Sequence, residues 1–177
     1  MFMRTVLLTI ILSLMPAPAA MAQPSVLEKL KDQFNHDRGA LRLVVLVSPT
    51  CPACTSGAEW IQEYVMRRNP KLNLRVYAVW FEMYPGDSPK AFPKARTFLP
   101  DPRVNHYWDQ PKEVGRWFVK AFPSDFKGEI QWDAFYLYGE DSLWDDQPSS
   151  LLVWGRTILG SRKKLRDEIT RLARGEQ

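Results

Sequence analysis

Apolar side chains recur along this chain in two rhythms. Between Gln23 and Gly39 the positions Leu27, Leu30 and Phe34 follow the period of one helical face, with Ser25 and Glu28 spaced as a capping box and Gly39 as a stop. From Leu41 to Val47 that rhythm gives way to a nearly unbroken aliphatic run rich in β-branched residues, the pattern of a central strand covered on both faces. The helical period returns from Pro52 to about Arg68, with Ala58, Ile61 and Val65 on one side, until Asn69-Pro70 ends it. Asn73 to Trp80 alternates as a strand does. Residues 41–80 therefore predict a strand–helix–strand unit with parallel strands and a right-handed crossover.

Beyond Trp80 the pattern loosens. Tyr84 to Arg103 carries five prolines in twenty residues, which excludes a long helix or an inner strand and gives a Pro-rich insertion of the length usual for lids or mobile loops. Val104 to Trp108 suits a short extra strand. Asp109 and Pro111 are placed to start a helix running to about Phe122, with Val114, Trp117, Phe118 and Phe122 inward. Ala134–Tyr138 reads as a strand and Ser150–Leu159 as a second strand or a hairpin around Gly155, the two close enough to pair antiparallel, and Ser161 opens a last helix striped by Leu165, Ile169 and Leu172.

Composition and charge then narrow the class. The chain opens with Arg4, an uncharged run from Val6 to Met15 and the small-x-small end Ala20-Met21-Ala22, the layout of a secretory signal peptide over residues 1–22. Residues 23–177 are one ordinary domain, expected in a periplasm or outside the cell and without stable membrane insertion once the leader is removed. Twenty-four Lys and Arg against 20 Asp and Glu leave a formal balance of +4, too mild to call for nucleic acid. The basic residues of the last helix, from Arg162 to Arg174, read as a solvated face.

Chemistry concentrates at one point. The only two cysteines stand in Ser48-Pro49-Thr50-Cys51-Pro52-Ala53-Cys54, between the aliphatic strand and a Pro-initiated helix. A bridge closing so small a ring restrains little unfolded chain, so a purely structural staple is a weak reading. With Pro52 at the first helical position, Cys51 takes the N-cap, where free amides and the helix dipole favour a thiolate, the attacking species in disulfide exchange. Cys54 is in register with Ala58, Ile61 and Val65 and points to the apolar face. Cys51 is thus the candidate attacking sulfur and Cys54 the resolving one.

Strand, Cys-x-x-Cys, helix, strand, helix, antiparallel strand pair, helix: over about residues 25–174 this order resembles the thioredoxin-like fold. The resemblance implies an α/β domain with a central mixed sheet of four to five strands flanked by helices, acting as a thiol–disulfide oxidoreductase on a protein or small-molecule thiol or disulfide. No cofactor follows from the sequence. Pro52-Ala53 between the cysteines matches neither the Gly-Pro of thioredoxin itself nor the Pro-His of strongly oxidising periplasmic relatives, and looks more like the Pro-x type of glutaredoxins. The family usually holds a cis-proline just before the first antiparallel strand, and the matching stretch Glu129–Asp133 has none; Pro148 is the alternative if the strands are misplaced.

In that fold the ends of the first two strands and the start of the third meet at one rim, where ligand sites favour the carboxyl ends of parallel strands. Asp133 and Glu82 are then candidates to relay a proton to Cys54 or to raise the cysteine pKa values by repulsion. Trp80, Trp132 and Pro52 are candidate substrate contacts, against packing as the plainer role for the indoles. The rival function is a soft-metal carrier, holding an ion such as Cu(I) with Cys51, Cys54 and His106. Structural zinc lacks the further ligands it needs, and covalent haem would need a histidine where Thr55 stands.

Overall fold

Ser25 starts the first helix as its spacing predicts. The Ser25 hydroxyl accepts from the Glu28 amide at 3.2 Å and the Glu28 carboxylate accepts from the Ser25 amide at 2.6 Å, a closed capping box at the head of α1 (Val26–His36). The computed structural model describes residues 23–122 and 127–176, so the signal peptide expected over 1–22 lies outside the described residues.

β1 (Leu41–Val47) has all seven residues buried, and the reason is its place in the sheet. β2 (Leu74–Trp80) runs parallel on one side of it and β4 (Ala134–Tyr138) antiparallel on the other, within the order β3-β2-β1-β4-β5. Here β3 (Val104–Trp108) extends the parallel half and β5 (Leu151–Arg156) pairs antiparallel with β4. The result is a mixed five-stranded sheet flanked by helices, as the resemblance implies. Leu43, Val45 and Val47 face a core shared with α2 (Pro52–Ile61) and α5 (Ile158–Ala173), while Val44 and Leu46 face one shared with α1 and α4 (Glu113–Ala121). Period-2 alternation between two dry faces is what an unbroken aliphatic run encodes.

At the far end of β1 the aliphatic run is broken by Arg42, which is nevertheless fully buried. Its guanidinium donates to the carbonyls of Gly139 and Ser142, each at 2.7 Å, and of Asp37 and Glu140, each at 3.2 Å, and lies 4.7 Å from the Phe34 ring centroid. One forked cation closes that end of the sheet.

Several boundaries move. The helix expected to Arg68 is α-helical to Ile61 and continues as a π-helical turn over Gln62–Arg67, which buries the consecutive Val65 and Met66. The Pro-rich insertion is docked rather than loose: two 3₁₀ turns (Pro89–Ala91, Arg96–Phe98) flank the single turn α3 (Phe92–Ala95), with Ala95 and Leu99 buried in the α2-side core. α4 begins at Glu113, not at Pro111, because the Asp109 carboxylate accepts from the amides of Glu113 and Val114 at 3.1 and 2.8 Å. Strand β5 stops at Arg156 and α5 starts at Ile158, capped by Thr157 rather than Ser161. Gly155 lies inside β5 and not at the turn of a hairpin, and a Cβ added to it would stand 2.2 Å from that of Ser161.

Candidate active site

Ser48, Pro49 and Thr50 carry the chain from β1 to Cys51, which holds the N-cap of α2 in extended conformation at φ −75° and ψ 115°, with Pro52 next. The Cys51 sulfur accepts from the Cys54 amide at 3.3 Å, and the Cys51 carbonyl accepts from the Thr55 amide at 3.0 Å. Both cysteines are unbridged thiols, Cys51 with 3% of its surface exposed and Cys54 with none. Cys54 shares its buried face with Gly57, Ala58 and Ile61, in the register the sequence predicts. Burial drives its thiol far above the usual range, and the hydrogen bond and charge of Cys51 and the charge of Asp133 push the same way against a hydrogen bond with the Ser48 backbone.

The rim forms as expected. Val47 pairs with Trp80 and Trp80 with Trp108, while Leu46 pairs with Ala134, so the carboxyl ends of the parallel strands and the amino end of β4 share one edge. The fold agrees with that of solved structures at very low sequence identity. The chain matches a solution structure of a Bacteroides thetaiotaomicron protein assigned as a disulfide isomerase, with TM-score 0.56 and 10% identity over 80% of this chain and 78% of that one. It also matches a Chlorobium tepidum protein assigned as the thiol:disulfide interchange protein DsbE, with TM-score 0.53 and 14% identity over 79% and 84% of the two chains. A third match is BsSco, of the Sco family of cytochrome c oxidase assembly proteins, with TM-score 0.50 and 15% identity over 77% and 82%.

The chain has the thioredoxin-like fold. No protein-family model and no curated protein matches its sequence. Within the thioredoxin-like frame, the position just ahead of β4, where the family's proline is expected, holds Asp133 at φ +49°. Pro148 is no substitute. It precedes β5, whose start pairs with Tyr138, and Tyr138 pairs with Arg42 at the edge opposite the cysteines.

Asp133 is 6% exposed, and its Oδ1 accepts from the Ile158 amide at 3.1 Å, at the first turn of α5. Burial raises its carboxyl, against lowering by the Ile158 amide and the Arg156 charge. Its charge also adds to the rise of the Cys54 thiol, as the smallest of the causes named above. Glu82 is half-buried on the loop after β2.

A different carboxylate on that loop engages the cysteine segment: Asp87, whose oxygens accept from the Ser48 hydroxyl at 2.6 Å and the Thr50 amide at 2.9 Å. Tyr84, on the same loop, is 45% exposed and meets Trp132 edge-on, centroids 5.5 Å apart. Partial desolvation raises its phenol, and the charges of Cys51, Cys54, Asp133 and Asp87 add to the rise. The sequence signal for both residues was Pro85-Gly86, the centre of a tight turn.

Trp132 is half-buried against both cores and Pro52 is exposed beside Cys51, so both remain at the rim. Trp80 does not. It is fully buried, and its indole N–H donates to His106 Nδ1 at 3.1 Å, which makes it a core residue out of reach of a substrate. The same bond corrects the reading of His106 as a metal ligand. Its Nδ1 lone pair is taken by Trp80, its Nε2 lies 3.1 Å from the Leu99 carbonyl as a donor, and burial lowers its pKa. Among the described residues no three His, Cys, Asp or Glu side chains group as a metal site requires.

Proposed function

We propose that the protein is a thiol–disulfide oxidoreductase exchanging electrons with a polypeptide thiol or disulfide through Cys51 and Cys54. The observation that carries this reading is the asymmetry of the pair: the Cys51 sulfur holds a helix N-cap and receives the Cys54 amide, while Cys54 lies on the buried face of the helix with its thiol pushed up. In the reducing direction the Cys51 thiolate attacks a partner disulfide, forming a mixed disulfide and releasing one partner thiolate. Cys54 then attacks Cys51, its proton passing to the Asp133 carboxylate, and the second partner sulfur leaves as the Cys51–Cys54 bond forms. A carboxyl raised by burial is matched to that proton transfer. The reverse sequence oxidises a dithiol.

A polypeptide partner is supported by the DsbE-like neighbour and by the open rim of Pro52, Tyr84 and Trp132. Action outside the cytoplasm is supported by the leader pattern of residues 1–22, and N-terminal sequencing of the mature protein is expected to begin at Gln23.

The decisive experiment is trapping. Cys54→Ser is expected to accumulate a mixed disulfide through Cys51 with a reduced and re-oxidised polypeptide substrate, and Cys51→Ser to accumulate none. Absence of any adduct in Cys54→Ser, together with tight Cu(I) uptake by the reduced native protein, would hand the pair to metal carriage instead.

A further inference from the structure

One carboxylate organises the loop after β2. Tyr84-Pro85-Gly86-Asp87 forms a type II turn: the Asp87 amide donates to the Tyr84 carbonyl at 3.1 Å, Pro85 presets the second position, and Gly86 supplies the φ of +102° that the third requires. The turn folds Asp87 back until it is 8% exposed. Its Oδ2 then accepts from the Ser48 hydroxyl at 2.6 Å, the Met83 amide at 2.8 Å and the Tyr84 amide at 2.9 Å, and its Oδ1 from the Thr50 amide at 2.9 Å. Two donors belong to the approach to Cys51 and two to the segment that carries Tyr84. Burial pushes this carboxyl up, but the hydrogen bonds from Ser48, Met83, Tyr84 and Thr50 outweigh it and leave the group below its ordinary range.

We propose that Asp87 is a positioning residue of the exchange site: by tying Ser48 and Thr50 to Met83 and Tyr84, it sets the direction of the Cys51 sulfur and holds the Tyr84 segment, whose ring meets Trp132, against the approach to it. Thr50 is the immediate neighbour of Cys51, so a held Thr50 amide fixes the Pro49–Thr50 peptide plane one residue ahead of the residue that bears the sulfur. The same carboxylate accepts from the amides of Met83 and Tyr84, on the loop whose Tyr84 ring meets Trp132 edge-on. Asp87 acts through these neighbours and not on the reacting sulfur. The proposal rests on Cys51 being the attacking sulfur.

The test uses the full-length reduced protein, with alkylation of Cys51 by iodoacetamide followed against pH and localised by mass spectrometry, beside kcat and KM for a polypeptide disulfide. Asp87→Ala is expected to slow Cys51 alkylation about tenfold and change its pH profile, within the range seen when a reacting group is misplaced by a fraction of an ångström. Asp87→Asn keeps one acceptor oxygen and is expected to recover part of the rate. Asp101→Asn, which disturbs another part-buried carboxylate bonded to Arg103 in the insertion, controls for a general cost to the fold and is expected to match the native rate.

Native rate and profile in folded Asp87→Ala, or a change no larger than that of Asp101→Asn, would overturn the proposal. Should Asp87→Ala not fold, Ser48→Ala removes one donor and carries the same expectation and the same refutation. Asp87-dependent alkylation in a protein that traps no mixed disulfide would sink the oxidoreductase reading and leave the positioning role standing.

Discussion

At the scale of single residues, the two sulfurs differ in what surrounds them more than in their own chemistry. Cys54 is sealed in the α2-side core and its thiol is pushed far up, so it stays protonated through neutral pH. Alkylation of the native reduced protein is therefore expected to label Cys51 well before Cys54, with Cys54 reacting only under denaturant; equal labelling in native buffer would contradict the burial. Two carboxylates give opposite pH signatures. The Asp133 pKa is raised in the folded state, so its contribution to stability is full below the unfolded value of about 3.9 and is lost as pH rises through the folded value. Asp133→Asn, which keeps an acceptor for the Ile158 amide, is expected to raise the unfolding midpoint at pH 7 with the gain vanishing in acid. The Asp87 pKa is lowered, so its contribution is present above about 3.9 and lost as pH falls through the lower folded value. Denaturant midpoints of Asp87→Asn against pH are expected to converge on the native curve only at that acid end.

At the scale of elements, α2 depends on how closely α5 approaches it. A Cβ added to Gly57 would lie 2.9 Å from the Ile158 Cβ and 3.0 Å from its Cγ2, while Ile158 is held by the hydrogen bond its backbone N–H donates to Asp133. Gly57→Ala gains up to about 1 kcal/mol of helix propensity. The clash is expected to win and cost about 1–3 kcal/mol net, read as a lower urea midpoint, because neither helix can retreat without disturbing the cysteine-bearing turn. That contact also explains why α5 starts where it does. Thr157 and Ser161 are both good caps in sequence. Ile158 packs against Gly57, so the helix must already have begun there. By contrast, the head of α1 and the N-cap at Cys51 were legible, since capping box and Cys-Pro are local signals.

At the scale of the whole molecule the sheet has a chemical end and a structural end. The cysteines, Asp133 and Asp87 cluster at the carboxyl edge of β1, and Arg42 binds four carbonyls at the other. Arg42→Met leaves those carbonyls without their donor and is expected to lower stability by about 3 kcal/mol in denaturant titration. Arg42→Lys is expected to restore little, since an ammonium lacks the fork, and neither variant is expected to alter the Cys51 alkylation rate in the folded protein. A changed rate in either would mean the two ends are coupled.

The sequence by itself determined the strand–helix order, the parallel and the antiparallel strand pair, the place of Cys51 at a helix start and the inward turn of Cys54. Each follows from hydrophobic period, caps and prolines, whose physics acts over a few residues. Only the tertiary structure decided which acids and rings surround the sulfurs: Asp87 joins Ser48 and Thr50 across 39 and 37 positions, and Asp133 joins Ile158 across 25. It also withdrew Trp80 and His106 by bonding them to one another. Partners of that kind are chosen by the convergence of distant segments in a packed core, where a polar group must find its hydrogen bond, and no local pattern encodes which one it finds.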